Sequence, residues 1–198
     1  MKIKDKFDLD KVFFTSDLHV CHENIIRLCN RPFKDNEDQT EQLIANWNSV
    51  VPEDGIVFNL GDFMHTGNID KVREVVGRLN GVMYWVLGNH DYTSRLERKV
   101  ISDIVDGRQA DVIEWITGDE HGTRFFMSHY PHLYWPRGCF MVHGHIHSGP
   151  NSTASEKAPY HWMRYDVGVD NNLYFPVSYR ALMEMFNKRK EDEANKEE

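Results

Sequence analysis

The sequence is poor in cysteine: among 198 residues only Cys21, Cys29 and Cys139 occur. They are too few and too scattered for a disulfide framework or a thiolate metal motif, so a reducing, cytoplasmic setting is expected. Long apolar runs are missing too. No stretch approaches the roughly 18 apolar residues of a membrane span. The opening MKIKDKFDLDKVFF carries charges throughout, with no apolar run of signal-peptide length. No membrane partner is expected. Basic charge is in the minority, with 23 Lys and Arg against 31 Asp and Glu, a net charge of −8. Without a basic stripe, the surface is a poor match for a nucleic-acid backbone. Neither an internal repeat nor a linker that would separate domains is visible.

What is present is enough for a real core: 40% hydrophobic and 12% aromatic residues. Length favours a single domain, residues 1–188, with 189–198 as a flexible acidic tail. Val12–Thr15 reads as a buried strand with the polar tip Ser16-Asp17. ENIIRLCNR reads as a short helix. In DNEDQTEQLIANWNSV, Leu43, Ile44 and Trp47 share a helical face, with acidic residues at the favourable end. The alternation continues through the strand IVFNLGD, a helix with a stripe of Ile69, Val72, Val75, Val76 and Leu79, and the strand GVMYWVLGNHD. A third helix is expected within Leu96 to Val105. From about Asp111 the runs DVIEWI, TRFFMSH, GCFMVHGHIH and YHWMRYDVGVD are strand-like. A helix with Leu182, Met185 and Phe186 inward closes the chain. The expected fold is α/β, with two mixed sheets facing each other and helices flanking them.

Four strand ends carry similar chemistry: SDLH, LGD, LGNHD and GHIH. A fifth run, FFMSHY, ends near His129. Residues i and i+2 of a strand share a face, so Asp17 and His19 can point into one pocket, as can His145 and His147. Ligands of open α/β sheets collect beyond the carboxyl ends of the strands. Asp17, His19, Asp62, His129, His145 and His147 then become metal-ligand candidates, and Asn89 adds an amide oxygen. Carboxylate and imidazole donors suit manganese first, with iron (Fe2+ or Fe3+), zinc and nickel as alternatives. So many donors exceed one ion's needs but fit two ions sharing a carboxylate, the arrangement that clamps an in-line displacement at phosphorus. Two divalent ions, two aspartates and one hydroxide leave a single positive charge, ready for a phosphate. Gly61, Gly88 and Gly144 stand where the chain must turn and side-chain bulk would crowd the ions.

In this order, DLH, GD, GNHD, SH and GHIH resemble the calcineurin-like metallophosphoesterase superfamily, from about Val12 to Gly168. SDLHVCHENII and DVGVDNNLYFPVS look like its compact bacterial and bacteriophage branch. The resemblance implies that one metal is held by Asp17, His19, Asp62 and His147. It gives the other to Asp62, Asn89, His129 and His145. His90 would be the non-ligand histidine near the leaving group, with Asp91 orienting it, both counted as catalytic. The implied reaction is attack on phosphorus by a hydroxide bridging the ions, and no serine motif demands a phosphoenzyme. His22 and Arg137 are candidates for substrate binding. His65 and His132 could reach the site, and His143 reads as core or support. Tyr130, Tyr134 and Trp135 either wall a pocket or cap the core. The expected substrate is a small phosphate ester, a diester before a monoester. The alternatives are a phosphomonoesterase, a nuclease, or a binding or scaffold protein on the same fold.

Overall fold

Two five-stranded sheets pack face to face in the computed structural model, which describes residues 1–93, 98–148 and 162–195. The second sheet begins with β1 (Lys2–Ile3), and the first sheet holds β2 (Val12–Thr15), β3 (Ile56–Asn59), β4 (Val82–Val86) and β5 (Gln109–Ala110) in parallel. The second sheet continues with β6 (Val112–Ile116), β7 (Arg124–Ser128), β8 (Phe140–His143) and β9 (Arg164–Asp166), ordered β1-β6-β7-β8-β9. Only its β6–β7 pair is antiparallel. A last short strand, β10 (Val177–Ser178), runs antiparallel to β2 at the edge of the first sheet.

The central strands are apolar on both faces because both faces are covered. Val12, Phe14, Phe58 and Tyr84 meet Trp115 and Phe125 between the sheets. Phe14 stacks on Phe58 and Trp115 on Phe125, each at 5.5 Å between ring centroids. On the other face of the first sheet, Phe13, Val57, Met83 and Trp85 pack against the helices.

Helix α1 (Glu23–Leu28) is short, and α2 (Asn36–Val50) starts where the Asp35 side chain accepts from Asp38 N. Leu43, Ile44 and Trp47 of α2 are buried as their spacing predicts. Helix α3 (Ile69–Gly77) is capped by Asn68, and its stripe packs inward, fully at Val72 and Val75 and partly at Ile69, Val76 and Leu79. A one-turn helix, α4 (Asn89–Thr93), opens directly from the GNHD run, and α5 (Arg98–Ile104) forms within the expected third helix, of which residues 96 and 97 lie outside the described residues. Helix α6 (Tyr179–Ala194) seats Leu182 and Phe186 in the core, with Phe186 stacked on Phe140 at 4.4 Å.

Three features differ from the sequence reading. The GCFMVHGHIH run leaves the ladder at His143, because His145 and His147 take positive φ values of 74° and 47°. In YHWMRYDVGVD only Arg164–Asp166 is strand among the described residues, and Gly168 leads into a 3-10 turn at Val169–Asn171. The helix also continues past residue 189, where composition suggests a flexible tail. Arg189 holds that turn by donating to Arg164 O at 2.7 Å and lying 5.0 Å over the Tyr165 ring. Among the described residues, no helix is long and apolar enough to cross a membrane.

Candidate metal centre

The ligand candidates converge beyond the C-terminal ends of strands from both sheets, but not by strand alternation. Strand β2 ends at Thr15, and Asp17 (φ 59°) and His19 (φ 53°) follow it in a left-handed backbone. Asp62 (φ 51°), His145 and His147 share that conformation. Each such residue costs about 1 kcal/mol or more, and strain of this kind clusters at functional sites. Bonds between the loops hold it in place: Asp17 N to Gly61 O at 3.0 Å, His19 N to Asp62 O at 2.9 Å and Gly144 N to His129 O at 3.0 Å. Gly61 (φ +100°) has no room for a side chain, since a Cβ there would stand 2.6 Å from Gly88 N and 2.8 Å from His129 Nδ1.

Within this frame the donors face one another. Asp62 Oδ2 lies 3.6 Å from His19 Nε2 and 3.3 Å from His129 Nε2, so one oxygen stands between two histidines. Asp17 Oδ1 lies 3.9 Å from His19 Nε2 and 3.8 Å from His147 Nε2. Asn89 Oδ1 is 3.0 Å from His129 Nε2. Asp62, His129 and His145 form one compact donor group, and Asp17, His19 and His147 form another. The second oxygen of each aspartate is occupied: Asp17 Oδ2 accepts from His145 N at 2.9 Å, and Asp62 Oδ1 from His90 N at 2.7 Å.

Burial and neighbouring charge set the proton affinities. Burial pushes the Asp17 carboxyl up to about 6, against the pull of His147 and His129. For His147, burial opposes the charged ring, but hydrogen bonds with Asp170 and Cys29 and the charges of Asp17 and Asp170 prevail, holding the proton up to about 11. For His129, burial is likewise outweighed by Asp62 and Asp17, and its value rises to about 9. His19 moves the opposite way, well below the usual histidine range, through burial and the adjacent His147 and Arg31.

Beside the donors stands a wall of imidazoles. His22 Nδ1 meets His19 Nδ1 at 3.0 Å, and His65 Nδ1 meets His90 Nδ1 at 3.1 Å. His22 also stacks on His65 at 4.4 Å, and His90 sits 4.9 Å from His19. Burial and neighbouring histidines take His22 down to about 4, and burial also lowers His90. Tyr130 sets its ring edge against His129 and His145, at 5.0 and 4.6 Å.

Other candidates stand elsewhere. Asp91 lies buried beneath the loops, where its carboxylate accepts from the N–H groups of Asp62, Phe63 and Gly88 and from the Trp85 indole, at 2.8–3.1 Å. These bonds make it a brace between the GD and GNHD loops. Arg137 is exposed and precedes β8, at the end of that strand opposite the donors. It lines a cavity of about 420 Å³ with Leu133, Tyr134, Trp135 and Met163 and is not brought to the donor cluster. Tyr134 is 91% exposed, and Trp135 packs on a separate small core with Phe126 and Met141. His132 bonds to Ser128 Oγ at 3.1 Å and sets its edge on Phe126. His143, the buried end of β8, is bonded at Nδ1 to Gly144 O, in keeping with a supporting place.

Sequence reasoning missed the groups behind the donors. Asp170 Oδ2 lies 2.7 Å from His147 Nδ1, and Leu60 O lies 2.9 Å from His129 Nδ1. Arg31, with its side chain buried, donates to Asp170 at 2.9 and 2.8 Å, to Asp17 O at 2.7 Å, to Leu18 O at 2.9 Å and to Gln39 Oε1 at 3.0 Å. Nothing in CNRPF marks its arginine as buried. Asp170 lies within the DVGVDNN run, whose pattern hinted at a branch of the family but at no role.

The donor set can be tested as a metal site on its own geometry. Asp17 Oδ1 and His19 Nε2 are buried without a hydrogen-bond partner, a costly state for polar atoms. Donor pairs separated by 3.3–3.9 Å fit a shared ion bonded at about 2.0–2.2 Å to nitrogen and oxygen. The residues therefore fit divalent ions. The chain is also similar to known proteins. An uncharacterized protein of Methanocaldococcus jannaschii is 31% identical over 188 residues, covering 91% of this chain and 93% of its own. The Gene 66 protein of Mycobacterium phage L5 is 28% identical over 167 residues, covering 71% of this chain and 79% of its own. A solved structure from Aquifex aeolicus, of unknown function, shares the fold with a TM-score of 0.65 at 24% identity, covering 88% of this chain and 98% of its own. The family of calcineurin-like phosphoesterases matches residues 10–170, which holds every donor named above. Its members' chemistry implies divalent ions and supports phosphoester hydrolysis, and with a match over most of the sequence, this chain belongs to the calcineurin-like phosphoesterase family.

Proposed function

We propose that the chain is a metal-dependent phosphodiesterase for small phosphate esters, using two divalent ions, manganese first among them. The carrying observation is the inward ring of donors, in which Asp62 Oδ2 stands between His19 and His129 while Asp17 Oδ1 and His19 Nε2 lack partners. In this reading Asp17, His19, Asp62 and His147 hold one ion, and Asp62, Asn89, His129 and His145 hold the other. When bound, the ions would supply an activated water and positive charge for the phosphoryl group.

The chain's own groups prepare that chemistry. Leu60 O and Asp170 engage Nδ1 of His129 and His147, which turns the Nε2 lone pairs inward. Asp91 braces the loops that carry Asp62 and Asn89. His90 is assigned the leaving group. With Nδ1 engaged by His65, Nε2 is the atom that would donate to the departing oxygen. Its lowered pKa leaves the ring neutral near pH 7, and an arriving phosphate anion favours its protonated form. His22 faces the same opening and is assigned to substrate contact. Neutral imidazoles there support a singly charged diester over a monoester dianion. The net charge of −8 supports a small ester over a nucleic acid. Three free cysteines support a reducing, cytoplasmic setting.

The test compares bis(p-nitrophenyl) phosphate, p-nitrophenyl phosphate and single-stranded DNA as substrates of Mn2+-loaded protein, with chelated protein and Asp62→Ala as controls. The diester should turn over fastest, and both controls should be inactive. Faster monoester or DNA cleavage would replace the diester assignment. No hydrolysis of any substrate would refute the enzyme reading in favour of a binding role.

A further inference from the structure

Arg31 uses every hydrogen-bond donor that a guanidinium has. Nε and one Nη2 proton form a fork on Asp170, the second Nη2 proton reaches Asp17 O, and the Nη1 protons reach Leu18 O and Gln39 Oε1. Gln39 in turn donates from Nε2 to His19 O at 3.2 Å. Asp170 accepts from His147 Nδ1 on the oxygen that also takes Arg31 Nη2. Asp17, His19 and His147 thus each lie within two hydrogen bonds of one buried side chain. His129 is oriented differently, by a backbone carbonyl and the Asn89 amide.

We infer that the buried Arg31–Asp170 pair is a positioning device for one of the two ion sites, the site of Asp17, His19 and His147. The inference rests on the two-ion reading above. Two physical effects combine in it. Asp170 accepts the Nδ1 proton of His147, fixes its tautomer and makes Nε2 a stronger donor to a cation. Arg31 balances the carboxylate's charge in a site already holding Asp17 and Asp62, and its rigid fork joins the β2 tip to the turn at Val169–Asn171. A lysine keeps the charge but has no fork, so it could not hold both carbonyls and both carboxylate oxygens at once.

The experiment titrates Co2+ into chelated protein, following visible absorption together with equilibrium dialysis, for the wild type, Asp170→Asn and Arg31→Lys. Asp170→Asn leaves the Arg31 charge buried without a counter-ion. The double variant Arg31→Gln with Asp170→Asn therefore carries the same test with neither charge present. Wild-type protein should bind two ions. Each variant should weaken one of them about 10–100-fold, the usual effect of losing such an outer partner, and shift the absorption of that ion while sparing the other. The melting temperature of the metal-free forms shows whether the fold itself has changed. Two ions bound at wild-type strength, or both weakened alike, would overturn the inference and leave the two-ion reading standing. Failure of the wild type to bind two ions would overturn that reading, and the inference with it.

Discussion

Raising the pH should tighten ion binding with a defined slope. In the metal-free protein His147 keeps its proton up to about 11 and His129 up to about 9. Each must release one proton from Nε2 before that atom can bind a cation. The two rings belong to different donor sets, so each ion displaces one imidazole proton between about pH 6.5 and 8. One proton per ion makes apparent affinity rise about tenfold per pH unit, or about 1.4 kcal/mol. Asp17 adds a second proton for its ion below about 6. The metal-free fold responds with the opposite sign. Both histidine values lie above the reference of about 6.5, so their contribution to folding is complete below it. That contribution is lost as pH rises through 9 and then 11. The gap in Tm between loaded and metal-free protein should therefore widen toward alkaline pH. Calorimetric titration with Mn2+ in two buffers of different ionisation heat counts the protons directly, and melting curves follow the gap. A flat affinity over this range, with no proton released, would refute the reasoning.

Further outcomes follow from single positions. Asp62→Ala removes the oxygen facing both histidine sets, so elemental analysis should find both ions depleted; two tightly held ions would end its shared assignment. His90→Asn should keep both ions and lose about 10²–10⁴-fold in turnover of an alkyl ester, with a smaller loss for a nitrophenyl ester that leaves without a proton. Equal losses on the two esters, measured as kcat/KM, would remove the proton-donor role. Gly88→Ala brings a Cβ against the carboxylate and backbone N of Asp62. It should cost about 1–3 kcal/mol of stability and weaken ion binding, and unchanged melting and dialysis would show that the loop can yield.

The residue types at the centre were legible because metal chemistry restricts them, and so were the strands whose apolar runs are buried on both faces. What carried Asp17, His19, His145 and His147 inward was not. Strand alternation gave a plausible convergence, yet the chain achieves it with left-handed backbone at non-glycine residues, which no periodicity announces. Arg31 and Asp170 were hidden for a different reason. A charge pair separated by 139 residues in sequence has no local pattern, and its burial exists only after both sheets have met. Arg137 shows the limit of local pattern: a turn arginine beside aromatics fits a phosphate clamp, and its place at the far end of parallel β8 is set by the chain crossover. Asp91 was read from its neighbour His90, while the buried N–H groups around it required a carboxylate underneath.

The donors come from both layers of the sandwich: Asp17, His19, Asp62 and Asn89 follow strands of the first sheet, and His129, His145 and His147 follow strands of the second. Ions seated among them would act as rivets along the seam. Separating the sheets would then require losing the ions first. At a free ion concentration of 100 times Kd, one rivet adds about 2.7 kcal/mol to the folded state. If the transition state for unfolding has already parted the seam, that energy appears as a slower unfolding rate. The protein's lifetime against proteases would then follow ion supply.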